Sequence, residues 1–206
     1  MNYGVITIGR ELGSGGRDVG IALSEALGIK YYDKELLKLA SENSGYSKEI
    51  FEDHDERPNN SFLYSLVMDT SSLWGGYTTS YDMPINQKVF LAQFDTIKKL
   101  AHKGSCVIVG RCADYALAEE KNVCNVFIHA NLDFRVKRIM DEFKLPENKA
   151  KDIIKKTDKN RANYYNYYTN NNWGYVANYN LTLDSSMLGI DGCVHMIKEY
   201  LEYMKY

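Results

Sequence analysis

Arginine is the scarce cation of this 206-residue chain, 7 residues against 18 lysines, so each one invites a reason. A guanidinium stays charged and grips phosphate or carboxylate through two parallel N–H groups, which a lysine cannot do. Arg10 and Arg17 bracket a glycine-rich turn, Gly9-Arg10-Glu11-Leu12-Gly13-Ser14-Gly15-Gly16-Arg17-Asp18. A β-branched run, Val5-Ile6-Thr7-Ile8, leads into it, and helical periodicity over 17–27 leads out, with Gly28 placed to end the helix. Strand, glycine turn and helix together make an anion site. The glycines let backbone N–H groups curl around phosphate oxygens, and the helix start adds partial positive charge. Four glycines with two arginines in so short a stretch exceed what a tight turn needs.

Neither strict nucleotide motif is met. Against GxxxxGK[ST], the lysine position falls on Gly16 with Arg17 next, and Asp18 stands for the Ser/Thr that would hold Mg²⁺, one place later than the strict motif sets it. In GxGxxG, Asp18 stands where the third glycine belongs. A second Gly-Arg pair, Gly110-Arg111, closes another buried-looking run, Cys106-Val107-Ile108-Val109. Further strands are predicted at 30–32, 125–128 and 181–183. Helices are predicted at 34–41, 87–102, 132–143, from Pro146 toward Tyr168, and at 190–204. Asp33 is a good N-cap for the second helix. This alternation predicts a parallel α/β sheet with right-handed crossovers, in which ligands bind beyond the carboxyl ends of the strands. Both glycine turns then face one crevice.

Composition narrows the field. A net charge of −2 argues against an electrostatic nucleic-acid binder. No apolar run approaches a membrane span, and the start of the chain has no secretory pattern, so a cytoplasmic location and no membrane partner are expected. Cys106, Cys112, Cys124 and Cys193 lack metal or disulfide spacing, and His54, His102, His129 and His195 are scattered.

The chain resembles the cytidylate kinase-like family, a branch of the nucleoside monophosphate kinases within the P-loop fold. The matching segments are ITIGRELGSGGRDVG at 6–20, YYDKELL at 31–37, VIVGRCADYAL at 107–117, FIHANLDFRVKRI at 127–139, TDKNRANYY at 157–165 and LTLDSS at 181–186. The resemblance implies a three-layer P-loop sandwich with five parallel strands. It implies a core of 1–43, 87–143 and 171–206, an acceptor-binding insert at 44–86 and a lid helix pair at 144–170. It implies ATP with Mg²⁺ as donor, and a nucleoside monophosphate such as CMP or dCMP as acceptor.

The same likeness implies roles. Gly9, Arg10, Gly13, Ser14, Gly15, Gly16, Arg17 and Asp18 hold the donor phosphates, with Asp18 also the metal ligand. Arg135 and Arg138 reach the donor nucleotide. Asp33, Arg111, Asp114, Asp158 and Arg161 face the acceptor, and Arg17, Arg111 and Arg161 serve catalysis. Only Arg57 has no matched role. Cys112 replaces the family's Asp after the strand-three arginine, with Asp114 two residues on, so cytosine recognition is not implied there. Asp184 reads as a helix cap.

The absent lysine leaves alternatives. Arg10 and Arg17 are the candidate substitutes in an active kinase. A catalytically weak or inactive nucleotide-binding module is the competing reading. A dinucleotide-dependent oxidoreductase, from the glycine turn with Asp33 about 20 residues on, is a third. Tyr164, Tyr165, Tyr167 and Tyr168 are expected to pack a lid on the core, with base stacking as the alternative. Trp74 and Trp173 either stack a base or pin their loops.

Overall fold

Strand β1 (Val5–Arg10) is buried over residues 5–8, which explains its β-branched, mostly apolar start. Ile6 and Ile8 pack with Val19 and Leu23 of α1 (Gly16–Leu27) and with Cys193 and Ile197 of α8 (Ser185–Tyr203). Val5 turns the other way, toward Ile97 and Leu100 of α4 (Ile85–Ala101). Helices thus cover both faces of the sheet. The computed structural model describes residues 3–45, 47–56 and 83–204.

The other strands are β2 (Lys30–Tyr32), β3 (Cys106–Val109), β4 (Val123–His129) and β5 (Leu181–Asp184). Their order is β2-β3-β1-β4-β5, and every adjacent pair is parallel. The expected five-stranded α/β sandwich is the fold. Ile8 lies opposite Val109 and Val126, so the turns that follow β1 and β3 leave the sheet side by side.

The remaining helices are α2 (Lys34–Ser44), α3 (Lys48–His54), α5 (Ala113–Ala116), α6 (Leu132–Phe143) and α7 (Glu147–Thr169). Gly28 ends α1 in the left-handed conformation, φ 64°. The stretch expected as a helix pair is the single helix α7 after the left-handed residue Lys144. With no Gly or Pro between 147 and 169, nothing in the sequence interrupts it. The last helix starts at Ser185, ahead of the expected 190. The Asp184 carboxylate accepts the Ser186 N–H at 2.9 Å, and Gly189 (φ 66°) then kinks the helix.

Helix α3 buries Phe51 against Leu37 and Ala40 of α2 and Val89 of α4. Arg57 and Trp74 lie outside the described residues. Among those described, no helix is long and apolar enough to cross a membrane.

Candidate active site

The glycine loop is built by its neighbours as much as by its own turns. Gly13 and Gly15 adopt φ of 79° and 77°, conformations that L side chains rarely take. A Cβ on Gly13 would meet the Arg135 carbonyl at 2.8 Å, and one on Gly15 the Ile190 side chain at 2.7 Å. Buried Ser14 donates its hydroxyl to the Glu11 carbonyl at 2.9 Å and accepts the Gly16 N–H, so it shapes the loop. Ser185, the first residue of α8, ties that helix to the loop by donating its hydroxyl to the Ser14 carbonyl. Gly15 has no side chain to cap α1, and beyond the Gly16 N–H held by Ser14 the helix start turns the positive end of its dipole toward an anion.

Beside the loop, three arginines from three elements converge on one carboxylate. Arg10, at the end of β1, donates to Glu56 at 2.7 Å. Arg161, from α7, donates to the other Glu56 oxygen at 3.2 Å and to the Arg10 carbonyl at 3.2 Å. The Arg111 backbone N–H donates to Glu56 at 3.3 Å. The Arg111 side chain, only 2% exposed, binds Asp55 through two nitrogens at 3.0 and 2.9 Å and Asp33 at 3.1 Å. Gly110, Arg111 and Cys112 are all left-handed, which swings the Arg111 N–H toward the cleft.

Burial alone would raise the Glu56 carboxyl, but Arg10, Arg161 and Arg111 hold it far below the usual carboxylate range. Burial pushes the neighbouring Asp55 carboxyl up, against the pull of Arg111. The Arg111 guanidinium is held charged by Asp55, Glu56 and Asp33 despite its desolvation.

Helix α7 clamps the loop from above. The Asp158 carboxylate accepts the Leu12 N–H at 2.8 Å and pairs with Arg135. Arg135 also donates to the Leu12 carbonyl at 2.8 Å and pairs with Glu11 at 3.1 Å. Arg138 pairs with Asp18 at the outer rim. Arg17 is 61% exposed and lies 3.4 Å from Asp33.

Farther along α7, the Tyr165 hydroxyl donates to Asp114 at 2.6 Å, and burial pushes the Asp114 carboxyl up. Tyr168 stacks on Phe90, ring centroids 4.0 Å apart. Trp173 meets Phe127 edge-on at 5.3 Å. Burial raises the Cys112 thiol well above its ordinary range, as suits a core group packed beside Tyr164 and Tyr165.

The expected residues therefore fall into three groups. Arg10, Gly13, Gly15, Gly16, Arg17, Asp18, Asp33, Arg111, Arg138 and Arg161 line one cleft at the strand ends. This cleft has a volume of about 630 Å³, in the range of small-molecule sites. Arg135 and Asp158 form a buried brace behind the loop. Asp114 and Gly9 line a much narrower pocket with Trp173 and Tyr179. Asp33 occupies the N-cap position without capping α2, because Arg111 and Arg17 take its carboxylate. Sequence reasoning missed Asp55, Glu56 and Glu11. Their one signal was an acidic run, 52–56, in a chain whose scarce arginines need counter-ions.

Among the described residues, no cluster of three or more His, Cys, Asp and Glu has metal-site geometry. A sheet in this order, with a phosphate-type glycine loop and opposed arginines, defines a P-loop kinase-type α/β protein. The chain belongs to the cytidylate kinase-like family, whose sequence profile matches residues 5–187. It is similar to an uncharacterized protein from Eubacterium ventriosum ATCC 27560, at 29% identity and TM-score 0.73, covering 97% of this chain and 99% of that one. It shares its fold with shikimate kinase from Bacteroides thetaiotaomicron, at 15% identity and TM-score 0.55, covering 97% and 98%. No curated protein matches it. Family and fold together place it among proteins of phosphoryl transfer.

Proposed function

We propose that the protein transfers a phosphoryl group from ATP to a nucleoside monophosphate of the CMP or dCMP class. One observation carries the reading: Arg10, Arg111 and Arg161 gather on a single anion beside the glycine loop. Phosphoryl transfer needs little covalent help and much fixed positive charge. Arg111 and Arg161 would grip the acceptor phosphate. The loop and the start of α1 would cradle the donor's phosphates, with Arg138 at the rim.

Arg10 takes the place of the absent lysine in this reading. Its stem lies against Gly16, and its guanidinium is only 13% exposed. Arg17 would act from the mouth, keeping Asp33 oriented. Mg²⁺ would neutralise charge between the donor phosphates, and Asp18 is the carboxylate at the loop positioned to hold it once free of Arg138.

An ADP-release assay with ATP, Mg²⁺ and a panel of monophosphates tests this. Turnover that depends on a monophosphate and is lost in Arg111→Lys supports it. ADP release indifferent to every monophosphate overturns it. The competing reading, a module that binds nucleotide without transfer, draws on Gly16; it predicts thermal stabilisation by nucleotide with no acceptor-dependent ADP.

A further inference from the structure

Glu56 is surrounded as a bound ligand would be. Its two oxygens take N–H groups from Arg10, Arg161 and the Arg111 backbone, from the ends of β1 and β3 and from α7. Its backbone is left-handed, φ 47°, a conformation unusual for a glutamate. The surrounding charges show what it supplies. Four guanidiniums, Arg10, Arg17, Arg111 and Arg161, pair within this network with three carboxylates, Asp33, Asp55 and Glu56. Without Glu56, four positive groups, three of them largely buried and Arg17 at the exposed mouth, would face two negative ones. A phosphate monoester, with up to about two negative charges, would bring the network to balance and offer three acceptor oxygens to the same N–H groups.

We propose that Glu56 is a resident anion of the phosphate site, and that a phosphate monoester binds by exchanging with its carboxylate on Arg10, Arg111 and Arg161. The proposal rests on the reading of these arginines as a phosphate grip. The exchange makes Glu56 a selector. A single weak anion displaces it poorly, while a dianionic phosphate replaces its charge and adds one. The empty site therefore keeps its arginines neutralised and ordered, at the expense of affinity for any anion.

Binding of inorganic phosphate tests this without turnover. Calorimetry and thermal unfolding are run on the wild type and on Glu56→Gln at matched ionic strength in chloride. Glu56→Gln should bind phosphate about tenfold more tightly or better, a modest demand for a charge lost from a buried network. Its unfolding temperature should fall in chloride and be recovered by phosphate. Equal phosphate affinity in the two proteins, or recovery by chloride as complete as by phosphate, overturns the exchange. Should Glu56→Gln fold in neither buffer, Glu56→Asp decides. Its shorter carboxylate should yield to phosphate more readily than the wild type's, and unchanged affinity overturns the proposal. Phosphate exchange without acceptor-dependent ADP release would leave this inference standing and remove the kinase reading, so the two fail separately.

Discussion

The stem of Arg10 lies where a side chain at position 16 would begin. A Cβ built on Gly16 comes 2.5 Å from the Arg10 Cβ and 3.2 Å from its Cγ. Any residue but glycine at position 10 carries that Cβ, so on this backbone position 16 must be glycine whatever side chain crosses here. The course of the two backbone segments closes the lysine position, and a lysine cannot be restored by changing position 16 alone.

Gly16→Lys is accordingly expected to disturb the site rather than repair it. Overpacking of this kind costs roughly 1–3 kcal/mol. Denaturant unfolding should register that loss, and nucleotide-dependent stabilisation should weaken. A Gly16→Lys protein of unchanged stability would show that the backbone at positions 10 and 16 gives way freely.

The two loop arginines should separate kinetically. In the proposed reaction, Arg10→Ala removes a preorganised cation and should lower kcat by roughly 10²–10³-fold. Arg17→Ala removes an exposed one paired with Asp33 and should cost stability less than about 1 kcal/mol. Its effect on turnover should be much the smaller of the two. The reverse order would return the lysine role to Arg17.

Arg135 and Arg138 lie one turn apart on α6 and should behave differently under truncation. Arg135 is buried, with Glu11, Asp158 and the Leu12 carbonyl as partners, so Arg135→Ala strands two carboxylates and should cost about 3–5 kcal/mol. Arg138 is 35% exposed and pairs with Asp18 at the rim, so Arg138→Ala should cost under about 1 kcal/mol. Unfolding curves of the two variants decide it.

Asp114 makes stability depend on pH in a definite direction. Its folded carboxyl is raised by burial, so the native state holds a proton that the unfolded chain, with a carboxyl pKa of about 3.9, has already released. The wild type therefore loses stability as pH rises from about 4 through the raised folded value. Asp114→Asn keeps an oxygen for the Tyr165 hydroxyl and carries no charge. It should be more stable than the wild type near neutral pH, with the advantage shrinking on acidification. Glu56 has the opposite sign. Its stability is present above about pH 4.3 and is lost only as pH falls toward its depressed folded value.

Much of the frame was legible because it rests on local rules. Apolar runs such as Cys106–Val109 admit few places in a chain but a buried strand, and Gly28 has the conformation a helix end requires. Arg111 was legible from its place after a buried strand, and Arg161 from the family resemblance. Their partners were not. Asp55 and Glu56 lie in a polar stretch without periodicity, and which carboxylate meets which guanidinium is decided by packing in three dimensions. Asp33 shows the same limit: local chemistry fits a cap, yet Arg111 holds its carboxylate. Arg135, read as a donor contact, became a brace for the same reason.

Helix α7 acts as a ruler laid along the cleft. Ile154 packs on the α6 side with Val136 and Ile139, Asp158 holds the loop's Leu12, Arg161 holds Arg10 and Glu56, Tyr165 holds Asp114, and Tyr168 lies on Phe90. These residues recur at intervals of three and four, so one face carries apolar, acidic, basic and aromatic marks in fixed order. The helix spans about 35 Å, and each residue turns it by about 100°. One residue inserted between Asp158 and Arg161 would keep the first two marks and rotate the rest off the cleft. The graduations matter here as much as the residues that mark them.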